Sequence, residues 1–395
     1  MTNTNNQNLL TRRVENILPS ADKLTKLMNE RKIRLYQGFD PSAPNLHIGH
    51  VVGLLQLRAF QDAGHEVIFL IGDFTGMIGD PTDKSATRPV LTHKQVLENA
   101  KTYKEQAGKF LRFDGDNPAK IMFNHDWNNK LNFAQVLELA SNITVQQLLE
   151  RDMFQNRIAN GKPIHVHEFL YPLIQGYDSV AMEVDLEVGG NDQMFNMMIG
   201  RTLLRSLKNK EKFVLTTKLL TDSTGNKIGK TTGNAINLFG DPNDLYGGIM
   251  STPDDTIENM LTLATDLPQD EINKLISKIA KNPMTIKKRL AWELTRMCHN
   301  QKIANSAQDH FQSTIQNKQT PTNITKIEVT TDSQSILSLL KSLSLDVSSA
   351  QLKRTIEQGG VELDGNKILD LNQEITIKGG EIIKFGKRQF RKLII

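Results

Sequence analysis

Cysteine is almost missing from this 395-residue sequence: Cys298 is the only one. A single thiol forms no intrachain disulfide and no cysteine cluster for zinc, so the fold cannot rest on either, and a reducing cytoplasmic setting is expected. Long apolar runs are missing as well. The longest candidate, Val67 to Ile71, is strand-sized and far short of a bilayer span. Met1 to Arg13 is polar and lacks the apolar stretch of a secretory leader. No sign of charge dominates: 48 Lys and Arg stand against 44 Asp and Glu, a net +4, which alone says little about a polyanionic partner. What is present is sufficient for a core, with 38% hydrophobic residues, and the length implies two or three domains.

Along the first two-thirds, strand-like and helix-like segments alternate. Lys32 to Phe39 reads as a strand, and Asp40-Pro41-Ser42-Ala43-Pro44 as a turn because two prolines exclude regular structure. Ile48, Val51, Val52, Leu55 and Phe60 recur at helical spacing up to Gly64. Glu66 to Ile71 and Lys120 to Phe123 read as buried strands, Thr92 to Leu111 and Asn191 to Ser206 as helices. Such alternation predicts an α/β doubly wound parallel sheet. After about Leu245 strand character fades, and Ser251 to Thr265, Pro268 to Lys281 and Thr285 to Ile315 read as helices. Asn317 to Asp332 reads as a linker, and from Ser333 a small α+β unit follows, with turns at Asp364-Gly365-Asn366 and Gly379-Gly380. That unit holds ten Lys and Arg against seven Asp and Glu, and its last twelve residues carry five cations and no acid. Such a strip suits a phosphate backbone, or else is a solvated tail.

Two short segments carry chemistry. His47-Ile48-Gly49-His50 sits where a turn opens into a helix, an end whose unpaired N–H groups and positive dipole bind phosphates; its imidazoles can donate to charge developing on an α-phosphate. Lys227-Ile228-Gly229-Lys230-Thr231 places two lysines in a polar loop suited to a triphosphate and its leaving pyrophosphate. It is one residue short of a P-loop spacing from Gly225, and no strand leads into it, so the P-loop reading is rejected. Alone, each segment reads equally well as an ordinary polar surface turn. A third group lies on one stretch: Tyr171, Gln175 and Asp178 fall at i, i+4 and i+7, so one helix face offers a phenol, an amide and a carboxylate. His165, His167 and Glu168 look superficially metal-like, but nothing else in the sequence completes a site, and no protein-bound metal is expected.

In that order, the His-Ile-Gly-His and Lys-Ile-Gly-Lys-Thr segments resemble the HIGH and KMSKS signatures of class I aminoacyl-tRNA synthetases. The second departs from consensus at Ile228, Gly229 and Thr231 but keeps both lysines. Tyr36-Gln37-Gly38-Phe39-Asp40-Pro41, Gly72 to Pro81, Tyr171 to Ser179 and Gly189 to Gln193 resemble motifs of the bacterial tyrosyl-tRNA synthetases, in the subgroup reading YDS at Tyr177-Asp178-Ser179. The resemblance implies a Rossmann-like catalytic domain over 1–245, a helical anticodon-side domain over 246–320 and a small ribosomal-protein-like RNA-binding domain over 333–395. It implies that Tyr36 and Asp178 bind a substrate phenol, that Tyr171, Gln175 and Asp80 hold its ammonium, and that Gln193 lies near its carboxylate end. It implies ATP contacts from Gly38, Asp40, Ser42, His47, Gly49, His50, Gly190, Asp192 and Lys230, with Asp192 and a Gly189-Gly190 turn receiving the ribose. Lys84, Arg88, Lys227, Lys230 and Thr231 join the histidines in catalysis, and Lys353, Arg354, Lys387 and Arg388 contact tRNA. The implied partners are L-tyrosine, ATP with Mg2+, tRNA(Tyr) and a second copy of the chain, with no membrane. Two alternatives stay open from the residues: a tryptophan-specific synthetase, disfavoured by Tyr36 and Asp178, and a non-catalytic RNA-binding protein on the same scaffold, disfavoured by the retained histidines and lysines.

Overall fold

Short apolar runs find their place in a six-stranded sheet: β1 Val14–Leu18, β2 Arg34–Phe39, β3 Glu66–Ile71, β4 Lys120–Phe123, β5 Leu186–Gly190 and β6 Phe213–Thr217. This computed structural model describes residues 9–82, 91–222, 224–225, 228, 236–316, 324–329, 333–343, 347–386 and 389–395. The strand order is β1-β6-β5-β2-β3-β4, with β2 to β6 parallel and β1 antiparallel on the edge. The expected doubly wound α/β sheet is therefore present. The chain runs outward from β2 to β4 and then crosses back to β5 on the other side of β2. β2 pairs with β3 along its whole length but with β5 only at Leu35 and Tyr36. Beyond Tyr36 the two strands part, and a crevice opens at their carboxyl ends, the switch point where ligands of such sheets bind.

The helices that shape this crevice are α1 (Val51–Asp62), α2 (His93–Ala100), α3 (Val166–Met182) and α4 (Met194–Lys208). α1 is entered through a short 3-10 turn, Ile48–His50. The stretch expected as one helix from Thr92 to Leu111 is instead two, α2 and Tyr103–Ala107. The second piece is drawn onto the proline turn, where the Tyr103 hydroxyl donates to the Ala43 carbonyl at 2.8 Å and Gln106 Nε2 to that of Pro44 at 2.9 Å. Gly189 and Gly190, expected as a turn, are the last residues of β5.

Past the sheet come α5 (Pro242–Met250), α6 (Ile257–Ala264), α7 (Gln269–Ile276) and α8 (Pro283–Cys298). The single helix expected from Thr285 to Ile315 breaks after α8, because Asn300 Oδ1 accepts the Ile303 N–H at 3.0 Å and caps a new start. Two residues near the chain's beginning bind this region. Arg12 donates to the carbonyls of Thr262, Thr265 and Leu267, and Arg13 to those of Leu263 and Thr265, which satisfies carbonyl groups at the end of α6.

The chain divides into two compact units, Met1–Ala304 and Asn305–Ile395. The second has its own core, in which Ile336, Leu339 and Leu340 of α9 (Ile336–Ser342) and Leu352 and Ile356 of α10 (Ser349–Glu357) pack with Val361, Ile383 and Leu393. These last lie in a five-stranded sheet ordered β10-β9-β12-β13-β7, from Asn366–Ile368, Val361–Leu363, Ile382–Phe385, Gln389–Ile394 and Thr325–Glu328. Asp364 and Gly365 both have positive φ and form the two-residue turn between β9 and β10. Glu374–Thr376 and Ser333–Ser335 form a separate two-stranded sheet.

Candidate active site

The first motif lies at the carboxyl end of β2. His47 caps the 3-10 turn, its Nδ1 accepting the Gly49 N–H at 3.2 Å, and His50 Nδ1 accepts the His47 N–H at 3.0 Å. With both Nδ1 atoms occupied as acceptors, the neutral rings carry their hydrogen on Nε2. The rings lie 3.9 Å apart. The segment is stitched to the far side of the second motif: the Ile48 N–H donates to Ile236 and the Leu238 N–H to Leu46, both at 2.9 Å. Ile236 lies five residues beyond Thr231. Lys227, Lys230 and Thr231 themselves lie outside the described residues, as do Lys84 and Arg88. Gly38, Ser42 and Gly49 are exposed, while Asp40, Gly190 and Asp192 are partly covered.

Below this opening lies a buried polar network. Asp178, 2% exposed, accepts from Trp127 Nε1 at 2.7 Å and Asn128 Nδ2 at 3.0 Å on one oxygen, and from Asn124 Nδ2 at 3.1 Å on the other. Burial pushes its carboxyl up to about 8; the three donors pull against this and the Glu187 charge adds to it. Asn124 also donates to Thr75 Oγ1, and Thr75 donates to Asp40 at 2.6 Å. The other Asp40 oxygen accepts the Tyr171 hydroxyl at 2.8 Å. Burial, then the charges of Asp40 and Asp80, hold the Tyr171 phenol far above its ordinary range. Asp80 accepts Gln193 Nε2 at 2.6 Å as well as the Thr82 hydroxyl. Tyr36, from the strand beside β5, is buried, and its hydroxyl meets Ser179 Oγ at 2.9 Å. Gln175 Nε2 donates to Glu187 at 3.2 Å, while its Oε1 is buried with no hydrogen-bond partner among the described residues.

The helix expected around Tyr171, Gln175 and Asp178 is α3, and all three side chains enter this network. Among the described residues no hydrogen bond joins Tyr36 to Asp178. Each turns to its own partners, although the Asp178 charge helps raise the Tyr36 phenol after burial and Glu187. Asp40, expected beside a nucleotide, is bonded to Tyr171. Asn124, Trp127, Asn128, Glu187 and Lys212 carry no sequence signature of their own, and Thr75 and Ser179 stand inside the motifs above without a role assigned to them. A usable signal was the polar run directly after β4, where side chains at a sheet's carboxyl end face the crevice.

Of the metal-like residues, Glu168 is committed to Arg157 and to the His165 N–H. The fold also gathers Asp73, His93 and His125, whose ligand atoms lie within 4.8 Å of one another. Asp73 already accepts from His93 Nε2 at 3.0 Å and from the His125 N–H at 2.9 Å, and the two rings stack at 4.0 Å and 9°. Lone pairs of parallel rings lie in separate planes and do not converge on one ion.

Residues 28–316 match the family described as tRNA synthetases class I (W and Y). The chain is 39% identical over 389 residues to the tyrosine–tRNA ligase of Thermotoga maritima, covering 98% of this chain and 96% of that protein. It is 43% identical over 387 residues to that of Desulfotalea psychrophila, covering 95% and 94%. Its structure is similar to a C-terminally truncated mitochondrial tyrosyl-tRNA synthetase of Aspergillus nidulans, with TM-score 0.67 and 26% identity over 78% of this chain and 93% of that one. It shares a fold with the tyrosyl-tRNA synthetase of Archaeoglobus fulgidus complexed with L-tyrosine, with TM-score 0.60 and 21% identity over 77% and 99%.

Proposed function

This chain belongs to the class I tRNA synthetases of the tryptophan and tyrosine type, and on that premise we infer that it is a tyrosine–tRNA ligase. It activates L-tyrosine with ATP to tyrosyl-adenylate and pyrophosphate, then passes the tyrosyl group to the 3′ end of tRNA(Tyr). The observation that carries this reading is Asp178, a buried carboxyl close enough to the Tyr36 phenol for its charge to help raise it. A pocket that hydrogen-bonds a hydroxyl strands its own polar groups when phenylalanine enters, a principle for which tyrosine-specific synthetases are themselves the standard example.

In this reading Tyr36 and Asp178 take the substrate phenol. Tyr171, Asp80 and the unpaired Gln175 Oε1 receive the ammonium, drawn by the surrounding carboxylates. Gln193 faces the carboxylate end. Gly38, Ser42, Gly49, Gly190, Asp192 and Lys230 line the nucleotide, and Asp40 braces Tyr171 beside it. The tyrosine carboxylate attacks the α-phosphate in line, and no protein nucleophile is required. His47 and His50 donate Nε2–H groups to the developing charge, and Lys84, Arg88, Lys227, Lys230 and Thr231 stabilise the leaving pyrophosphate. Magnesium enters on the triphosphate. Both oxygens of Asp40 and of Asp80 already accept hydrogen bonds, which fits a cation held by phosphates and water.

The chain acts in the cytoplasm in this reading; no helix among the described residues is long and apolar enough to cross a membrane. We assign 246–320 to the anticodon side and 333–395 to tRNA binding. Lys353 and Arg354 are exposed on α10, and Lys387 and Arg388 lie outside the described residues. A homodimer is supported by apolar side chains left bare on the segment after β4: Phe133 is 77% exposed, Val166 75% and Val145 60%. Pyrophosphate exchange into ATP with tyrosine, phenylalanine and tryptophan in turn tests the assignment. Exchange with tyrosine alone is expected; exchange driven by tryptophan, or none at all, overturns it.

A further inference from the structure

Behind the Tyr36 hydroxyl lies a buried ion pair that the chemistry above does not use. Lys212, just before β6, has no exposed surface, and Glu187 in β5 is 2% exposed. Glu187 is the register partner of Tyr36 across β5 and β2. The Lys212 ammonium bonds to Glu187 Oε2 and donates to Ser179 Oγ at 2.8 Å. Ser179 Oγ in turn lies 2.9 Å from the Tyr36 hydroxyl and 3.4 Å from Glu187 Oε2. The space for the ammonium is built in. A Cβ at Gly200 of α4 would lie 2.6 Å from Lys212 Nζ and 2.8 Å from Ser179 Oγ, so only glycine admits this arrangement. Sequestering two charges is costly, and an apolar pair of similar volume is often at least as stable. A role beyond stability is therefore the more economical account of this pair.

The hydrogen inventory supplies one. Ser179 has one hydrogen to give and can accept on its oxygen. Lys212 already donates to that oxygen, and Glu187 is already neutralised by the ammonium. The Ser179 hydrogen then has the closer acceptor in Tyr36. With Tyr36 accepting from Ser179, its own hydrogen has two takers: Glu187, whose hydrogen bond and charge help raise the phenol but which is already held by Lys212, and a substrate oxygen.

Resting on the tyrosine–tRNA ligase reading, we propose that Lys212, Ser179 and Tyr36 form a polarised relay that makes Tyr36 the donor to the oxygen of the substrate phenol, while the substrate's own hydrogen goes to Asp178. Lys212 and Glu187 are positioning residues in this scheme. Together the two contacts read both polarities of one hydroxyl, which neither a phenylalanine ring nor an indole N–H supplies.

The test is kcat and KM for adenylation with tyrosine and with phenylalanine, in wild type, Ser179→Ala, Lys212→Met/Glu187→Gln and the triple variant, each checked by circular dichroism melting. The paired substitution avoids stranding a lone buried charge, and Ser179→Ala provides a second route if that pair does not fold. In Ser179→Ala and in the paired variant, KM for tyrosine rises about tenfold or more, kcat moves less, and the tyrosine-to-phenylalanine ratio falls with KM. The triple variant loses little beyond either, because links of one chain are not additive. A folded variant whose ratio stays within about twofold of wild type, or losses that add in full, overturns the relay while leaving the ligase reading intact. A wild-type enzyme that activates a different amino acid overturns both.

Discussion

Asp178 is the residue whose environment has the most measurable consequence. A carboxyl raised from 3.8 to about 8 holds its proton in the folded chain where the unfolded chain has lost it. Stability therefore falls as pH rises between those values, and Asp178→Asn removes that part of the slope in urea titrations. In the proposed reading substrate recognition has the opposite dependence, because only the ionised form purely accepts. KM for tyrosine is expected to fall as pH rises through about 8 in the wild type and to be flat in Asp178→Asn, as read by exchange kinetics across the range. At this scale the sequence was informative about α3, where helical spacing alone put Tyr171, Gln175 and Asp178 on one side. It was silent about their partners. Trp127, Asn124 and Asn128 come to Asp178 across roughly fifty residues, and only folding of β4 against β3 brings them there.

Elements are tied at the end of the sheet away from the crevice by Asp185, between α3 and β5. It accepts from the two terminal Arg31 guanidinium nitrogens at 2.8 Å, from the Arg34 N–H at 2.9 Å and from Lys210 Nζ at 2.9 Å, joining the starts of β2, β5 and β6. Burial pushes this carboxyl up, but Arg31, the Arg34 N–H and Lys210 outweigh it and bring it down to about 2. The stabilisation is complete above 3.8 and is lost as pH falls towards 2. Asp185→Asn is expected to cost about 1–2 kcal/mol near neutrality, discounted for the half-exposed Arg31, with the difference closing in acid. Among elements, β3 and β4 were legible to the residue because each is a short apolar run. The polar-looking β1, Val14–Leu18, was not, since its place depends on a partner two hundred residues away. The break in the long helix expected over Thr285 to Ile315 was also hidden, because Asn300 caps a new start there, with neither glycine nor proline to mark the place.

For the whole molecule, two proposals reach beyond one crevice. Phe133→Asp places a charge where a bare aromatic lies, and light scattering behind a sizing column is expected to show a dimer in the wild type and a monomer in the variant if the proposed interface is right. Lys353→Ala with Arg354→Ala is expected to weaken tRNA charging and flatten its salt dependence by about two counterions, while pyrophosphate exchange stays unchanged. The arginine clamp on α6 bears on how such a molecule is made. Arg12 leaves the ribosome some 250 residues before the carbonyls it binds, and β1 waits nearly as long for β6. At roughly 5–20 residues per second, β1 stays without its sheet partner for on the order of 10–40 s of synthesis. During that interval the nascent polypeptide is a natural client for chaperones that shield unpaired strands.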